Sequence, residues 1–204
     1  IEVGDFVVFK NSNILDEKGN NKPATTALSH YLDHFLQAKF IWPITAILWN
    51  KEFLISIGKF NPDLKRLQDI ELSIKALLLG KNYKVIDNKV DFFYCVSPID
   101  IKKRPVKTIC ESVDYLITYM HTNYKLDKHQ RNLVTGYYFL CVRYFNRAAN
   151  KVDIIHVQNS LNLFYNKKYI DVFSYLRGLA FLKLYKFNLI SSDLFIRLNR
   201  YFYK

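Results

Sequence analysis

The chain has 204 residues, half of them hydrophobic and 16% aromatic, with only six glycines and five prolines; this excludes a disordered tail and leaves length enough to bury a core. Its formal net charge of +12 admits nucleic acid, anionic lipid headgroups or phosphorylated substrates as partners without choosing among them. No apolar run approaches the roughly 20 residues that span a bilayer, and the three scattered cysteines, Cys95, Cys110 and Cys141, argue against a disulfide framework or a zinc site and for a reducing, cytoplasmic setting.

The chain opens at Ile1 and its sole methionine is Met120, so we expect an excised portion of a longer protein; residues 1 to 9 carry no basic n-region and no signal cleavage site. IEVGDFVVFK reads as a strand, followed by a polar turn, NSNILDEKGNNK, around Gly19. From Thr25 to Ala38 the apolar positions Leu28, Leu32, Phe35 and Leu36 recur at helical spacing, with Pro23 just upstream. A short strand is expected over Ile44 to Leu48, then a short helix from Asn50 that Gly58 closes, then a turn at Asn61-Pro62-Asp63.

The next helix starts near Gln68, with Ile70, Ile74, Leu77 and Leu78 on one face and Lys75 away from it, and Gly80 ends it. Tyr83 to Ile86 and Val90 to Val96 read as strands. A basic linker, Lys102, Lys103, Arg104 and Lys107, follows Pro98, with Pro105 at a helix start. Beyond it only helical periodicity is found, enough for about four or five helices, for example Val106, Ile109, Val113, Leu116, Ile117 and Met120. The predicted class is α+β: a mixed α/β part over residues 1–98, then an all-helical bundle over residues 99–204, with no sequence repeat. The strands of the first part make a thin sheet with open edges, which implies further strands upstream.

Gln68-Asp69 places a carboxylate on the first turn of a helix, where free N–H groups and partial positive charge favour it. A simple N-cap and a catalytic base both fit that position. The surrounding stretch decides between them. WPITAILWNKEFLISIGKFNPDLKRLQDIELSIKALLLGKNYKVID, with Trp49, Gly58-Lys59-Phe60, Gln68-Asp69, Glu71-Leu72 and Gly80 in that order, resembles the second half of the catalytic domain of family 2 glycosyltransferases, the inverting enzymes of the GT-A fold. The resemblance covers about Ile1 to Val96 and does not extend to residues 105–204.

The resemblance implies a partial GT-A-like unit and transfer of a sugar from a nucleotide-sugar donor to an acceptor hydroxyl with inversion, in surface polysaccharide or glycolipid assembly. Asp69 takes the place of the general base, which such chemistry requires as an ionised carboxylate within hydrogen-bond reach of the attacking hydroxyl. Gln68 stands where the family often has a second acid. Trp49 is a candidate for stacking on a sugar ring, although a tryptophan beside a strand is more often core, and Trp42 is the weaker candidate. Lys65 and Arg66 are candidates for contacting a diphosphate, against the plainer reading of a basic loop. The Asp-x-Asp motif through which the family holds its nucleotide and divalent metal, Mg or Mn, occurs nowhere in the chain. The sequence shown therefore implies an acceptor-side half that binds no metal and is inactive alone.

Other features carry plainer readings. His30 and His34 have a metal-compatible i, i+4 spacing but no third ligand nearby, and read as solvated; His156 has no evident partner, and the cysteines read as buried small hydrophobes. From Phe164 onward, aromatics interleave with Lys167, Lys168, Arg177, Lys183, Lys186, Arg197, Arg200 and Lys204, against only Asp171 and Asp193. That pattern suits either a solvated basic face or peripheral contact with an anionic membrane at its inner face. The alternative to a transferase is a non-enzymatic basic helical module; the scatter of its basic residues and the lack of any nucleic-acid-binding motif argue against nucleic acid as its partner.

Overall fold

The structure is a computed structural model and describes residues 4, 6–9, 13–15, 21–22, 31–80, 83–86, 93–95, 106–144 and 153–202. The Pro98 to Pro105 linker and residues 25–30 of the expected Thr25 to Ala38 helix, His30 included, lie outside them. The described residues are mostly helical, an α-rich class. By its contacts the chain divides into two units: residues 1–35, 39–63 and 68–99 form the first, and residues 36–38, 64–67 and 100–204 the second.

In the first unit the strands are short. Strand β1 (Phe6–Phe9) pairs antiparallel with β4 (Ile47–Trp49) and parallel with β5 (Tyr83–Ile86). Strand β2 (Asn13–Leu15) pairs antiparallel with β3 (Asn21–Lys22) and parallel with β6 (Phe93–Cys95). Both β2 and β3 fall inside NSNILDEKGNNK, so part of that expected turn is extended backbone. A 3-10 turn at Ile44–Ala46 leads into β4, which displaces the expected strand by a few residues toward Trp49.

Three helices complete this unit: α1 (Tyr31–Leu36), α2 (Lys51–Ser56) and α3 (Gln68–Leu79). Asn50 caps α2, its Oδ1 accepting the backbone N–H groups of Glu52 and Phe53 at 2.9 and 3.1 Å. After α2 the chain turns through Gly58 at φ 84°, a conformation natural to glycine. Gly80 follows α3 without that conformation, its N–H donating to the Ala76 carbonyl at 2.7 Å. Trp42 is buried, with its ring 4.9 Å from Phe35 and 5.2 Å from Tyr31, so it serves the core of the unit.

Helix α3 departs from its expected pattern. Every residue from Ile70 to Ala76 is buried, Glu71 and Lys75 included, while Leu77 and Leu78 are half-buried. The helix has no solvated face over these two turns. Lys75, expected away from the buried face, is inside because its charge meets a partner there.

The described elements of the second unit are all helices: α4 (Val106–Asn123), α5 (Lys128–Leu133), α6 (Thr135–Arg143), α7 (Ile154–Asn166), α8 (Val172–Lys186) and α9 (Ser192–Asn199), ending in a 3-10 turn at Arg200–Phe202. Helices α4, α6 and α7 pack on one another, α8 lies on α7, and α9 touches both α8 and α6. Leu116, Tyr137, Tyr138, Leu161, Phe164 and Phe195 fill the centre. Asp127 and Gln130 form a reciprocal capping box at α5, and Asp171 and Ser191 cap α8 and α9.

The six described helices exceed the expected four or five because two boundaries carry no glycine or proline. At Lys168 and Asn188 the chain takes φ 60°, and each time the next amide bonds back five residues, Tyr169 to Phe164 and Leu189 to Leu184. The turn after α7 is thus repeated after α8 twenty residues on.

Candidate functional site

Loop 57–67 delivers the chain to α3 between two left-handed residues, Lys59 at φ 55° and Leu67 at φ 67°. Both are positions where a side chain is uncommon, and backbone of this kind persists where its surroundings hold it. The holding group at Lys59 is visible. Lys75 Nζ donates to the Lys59 carbonyl oxygen at 2.7 Å and lies 3.3 Å from Glu71 Oε1. The side chains of both Lys75 and Glu71 are almost completely buried.

Burial pushes the Glu71 carboxyl above its ordinary range, and the adjacent Lys75 ammonium opposes that push. Among the described residues the Lys75 ammonium is the group that meets the Glu71 carboxylate, and no backbone N–H or hydroxyl donates to either of its oxygens. The pair therefore depends on its charge interaction, and Lys75 ties α3 to the Gly58-Lys59-Phe60 turn. Sequence reading missed this clasp, although Glu71 and Lys75 stand at i, i+4, the spacing at which such pairs meet.

Asp69 is on the first turn of α3, two residues before Glu71, and is partly exposed; Gln68 beside it is exposed. The Asp69 backbone carbonyl accepts the Ser73 hydroxyl at 2.8 Å. Trp49 ends β4 and is half-buried. Lys65 and Arg66 are exposed, in the 64–67 segment that belongs to the second unit, whereas Asp69, Gln68 and Trp49 belong to the first. The structure thus puts Gln68 and Asp69 together at one helix start. A carboxylate reachable by solvent and seated on a helix anchored by buried groups can accept a proton from a hydroxyl brought to it.

The second unit holds a different polar feature. An open groove of about 520 Å³ runs between α4 and α7, lined by Asp114, Tyr115, Thr118, Asn159, Asn162 and Asn166 among others. Ser160 donates to Asp114 Oδ1 at 2.6 Å. Burial raises the Asp114 carboxyl from its ordinary 3.8 to about 6, the Ser160 bond pulling the other way and the Glu111 charge adding to the rise.

Among the described residues no group of three or more His, Cys, Asp or Glu side chains gathers to hold a metal ion. Cys110 and Cys141 are free and buried, and burial with the neighbouring Cys110 pushes the Cys141 thiol up, so it is a poor nucleophile. Comparison with family models, with curated proteins and with solved structures found no match for this chain.

Proposed function

We propose that this chain is the acceptor side of an inverting glycosyltransferase resembling family 2, with Asp69 as the general base. The observation that supports it most is the placement of Asp69: partly exposed at the start of α3, on a helix locked by the Glu71–Lys75 pair, within the motif that carries the resemblance. In this reading Asp69 takes the proton of an acceptor hydroxyl while the oxygen forms a bond to the anomeric carbon. The bond from that carbon to the nucleotide diphosphate breaks on the opposite face, which inverts the centre.

Gln68 hydrogen-bonds the acceptor without adding charge, and Trp49 offers an aromatic face to a sugar ring. Lys65 and Arg66, two of the exposed cations of the loop, are the ones proposed to meet the diphosphate. The nucleotide and a Mg or Mn ion belong, in this proposal, to polypeptide beyond this sequence, because the sequence holds no Asp-x-Asp. The setting is the cytoplasmic face of the membrane, in assembly of surface polysaccharide or glycolipid.

The test is nucleotide release from a panel of nucleotide sugars with saccharide acceptors. The complete polypeptide that contains this chain is expected to turn over at least one donor, and the 204-residue chain alone none. Turnover by the chain alone, or none by the complete polypeptide, overturns the proposal.

A further inference from the structure

Helix α8 contains no acidic residue between Val172 and Lys186 and is apolar around most of its circumference. A helix of that kind is ordinarily buried on all sides. Only one side is covered here: Gly178, Leu182 and Tyr185 face the bundle. On the other side Phe173, Leu176, Ala180, Lys183 and Phe187 are all exposed. Their spacing of three and four residues makes one continuous stripe of about 20 Å at the helical rise.

The exposure is large for apolar side chains: Phe173 79%, Leu176 56% and Phe187 68%, with Leu189 in the following turn at 69%. Lys183 lies in the stripe and Lys186 at its edge, and among the described residues no carboxylate pairs with either. Arg177, also at the edge, sits with its guanidinium 4.7 Å from the centre of the Phe202 ring.

We propose that the exposed face of α8 is a peripheral docking surface for an anionic lipid bilayer, with Phe173, Leu176 and Phe187 entering the headgroup boundary and Lys183 and Lys186 meeting lipid phosphates. The charge selects this occupant. A second copy would bring one strongly basic chain against another, and would set lysine-bearing stripes face to face. A nucleic acid would satisfy the lysines but leave the phenylalanines without an apolar medium. A lipid interface satisfies both at once, since buried apolar area and attraction to anionic headgroups add. Nor does the helix need to cross: among the described residues no helix is long and apolar enough to span a membrane.

Vesicle flotation tests this whether or not Asp69 acts as a base. Wild-type chain is expected to float with mixed phosphatidylcholine and phosphatidylglycerol vesicles at low salt and to remain unbound with pure phosphatidylcholine. Two variants change only exposed side chains, F173S/L176S and K183E/K186E, and melting curves confirm that each is folded. Each is expected to lose binding to the mixed vesicles by about tenfold or more. Absence of wild-type binding, or binding that neither variant weakens, overturns the proposal. A wild-type dimer that F173S/L176S converts to monomer, with vesicle binding unchanged, assigns the stripe to a second copy instead.

Discussion

Lys75 and Glu71 stand one turn apart on α3 with Nζ 3.3 Å from Oε1, both side chains buried, and the same Nζ holds the carbonyl of Lys59 at 2.7 Å. One ammonium thus joins a helix that starts at Gln68 to the turn that follows Gly58. Two buried charges gain from each other only while both are present, because an isolated one bears its full desolvation.

The pair therefore predicts strong coupling. K75M, which leaves Glu71 buried without its counter-ion, is expected to lower stability by about 3–5 kcal/mol. The double variant E71L/K75M is expected to recover more than half of that loss, since neither charge then remains inside. Denaturant unfolding of the single and double variants checks this, and additive effects would show that the two side chains do not act together.

Gly178 of α8 faces Leu161 of α7 with no room for a side chain. A Cβ there would come within 2.8 Å of Leu161 Cδ2 and 3.0 Å of Phe202 Cζ, both in the packed interior. G178V is expected to lower stability by about 1–3 kcal/mol through overpacking, read as a lower thermal midpoint. Ala180, two positions on and exposed, is expected to accept serine with little change.

Asp114 gives the helical unit a pH dependence whose sign follows from its raised carboxyl. Between its ordinary 3.8 and about 6 the unfolded chain has released this proton and the folded chain retains it. Folding then takes up a proton, so this contribution to stability falls as pH rises through that window and stays low above it. D114N removes the titration while keeping an oxygen for Ser160 to donate to. Thermal melts are expected to show D114N at least as stable as wild type at pH 7.5, with a flatter slope between pH 4 and 6. A D114N protein much less stable at pH 7.5 would mean that the carboxylate is favourable where it lies.

Local signals in the sequence reached several of these features. Asn50 before an apolar run and Gly58 after it gave the limits of α2, and Gln68 and Gly80 bracketed α3. Cys110 and Cys141 are buried as their type suggests. Lys75 was illegible because a 3.6-residue pattern presumes one solvated face, and α3 has none between Ile70 and Ala76. Only the tertiary surroundings reveal that a lysine is drawn inside by Glu71 and a backbone carbonyl.

The helix count failed for a related reason. Lys168 and Asn188 adopt the left-handed conformation that glycine usually signals, so the ends of α7 and α8 are set by hydrogen bonds to Phe164 and Leu184 and by the caps Asp171 and Ser191. Of the candidate site, the sequence located Asp69 and Gln68 on a helix start. It did not show that residues 64–67, with Lys65 and Arg66, belong to a different compact unit from Asp69.

The proposed sugar transfer, compared between wild type and D69N in the complete polypeptide that contains this chain, addresses the role of Asp69 most directly. The substituted side chain is partly exposed, so the fold is expected to survive and a matching melting curve verifies it. If Asp69 is the general base, turnover falls by about 10²-fold or more while nucleotide-sugar binding persists. Near-native turnover by D69N would contradict the account and leave Asp69 as no more than a residue of the first helical turn.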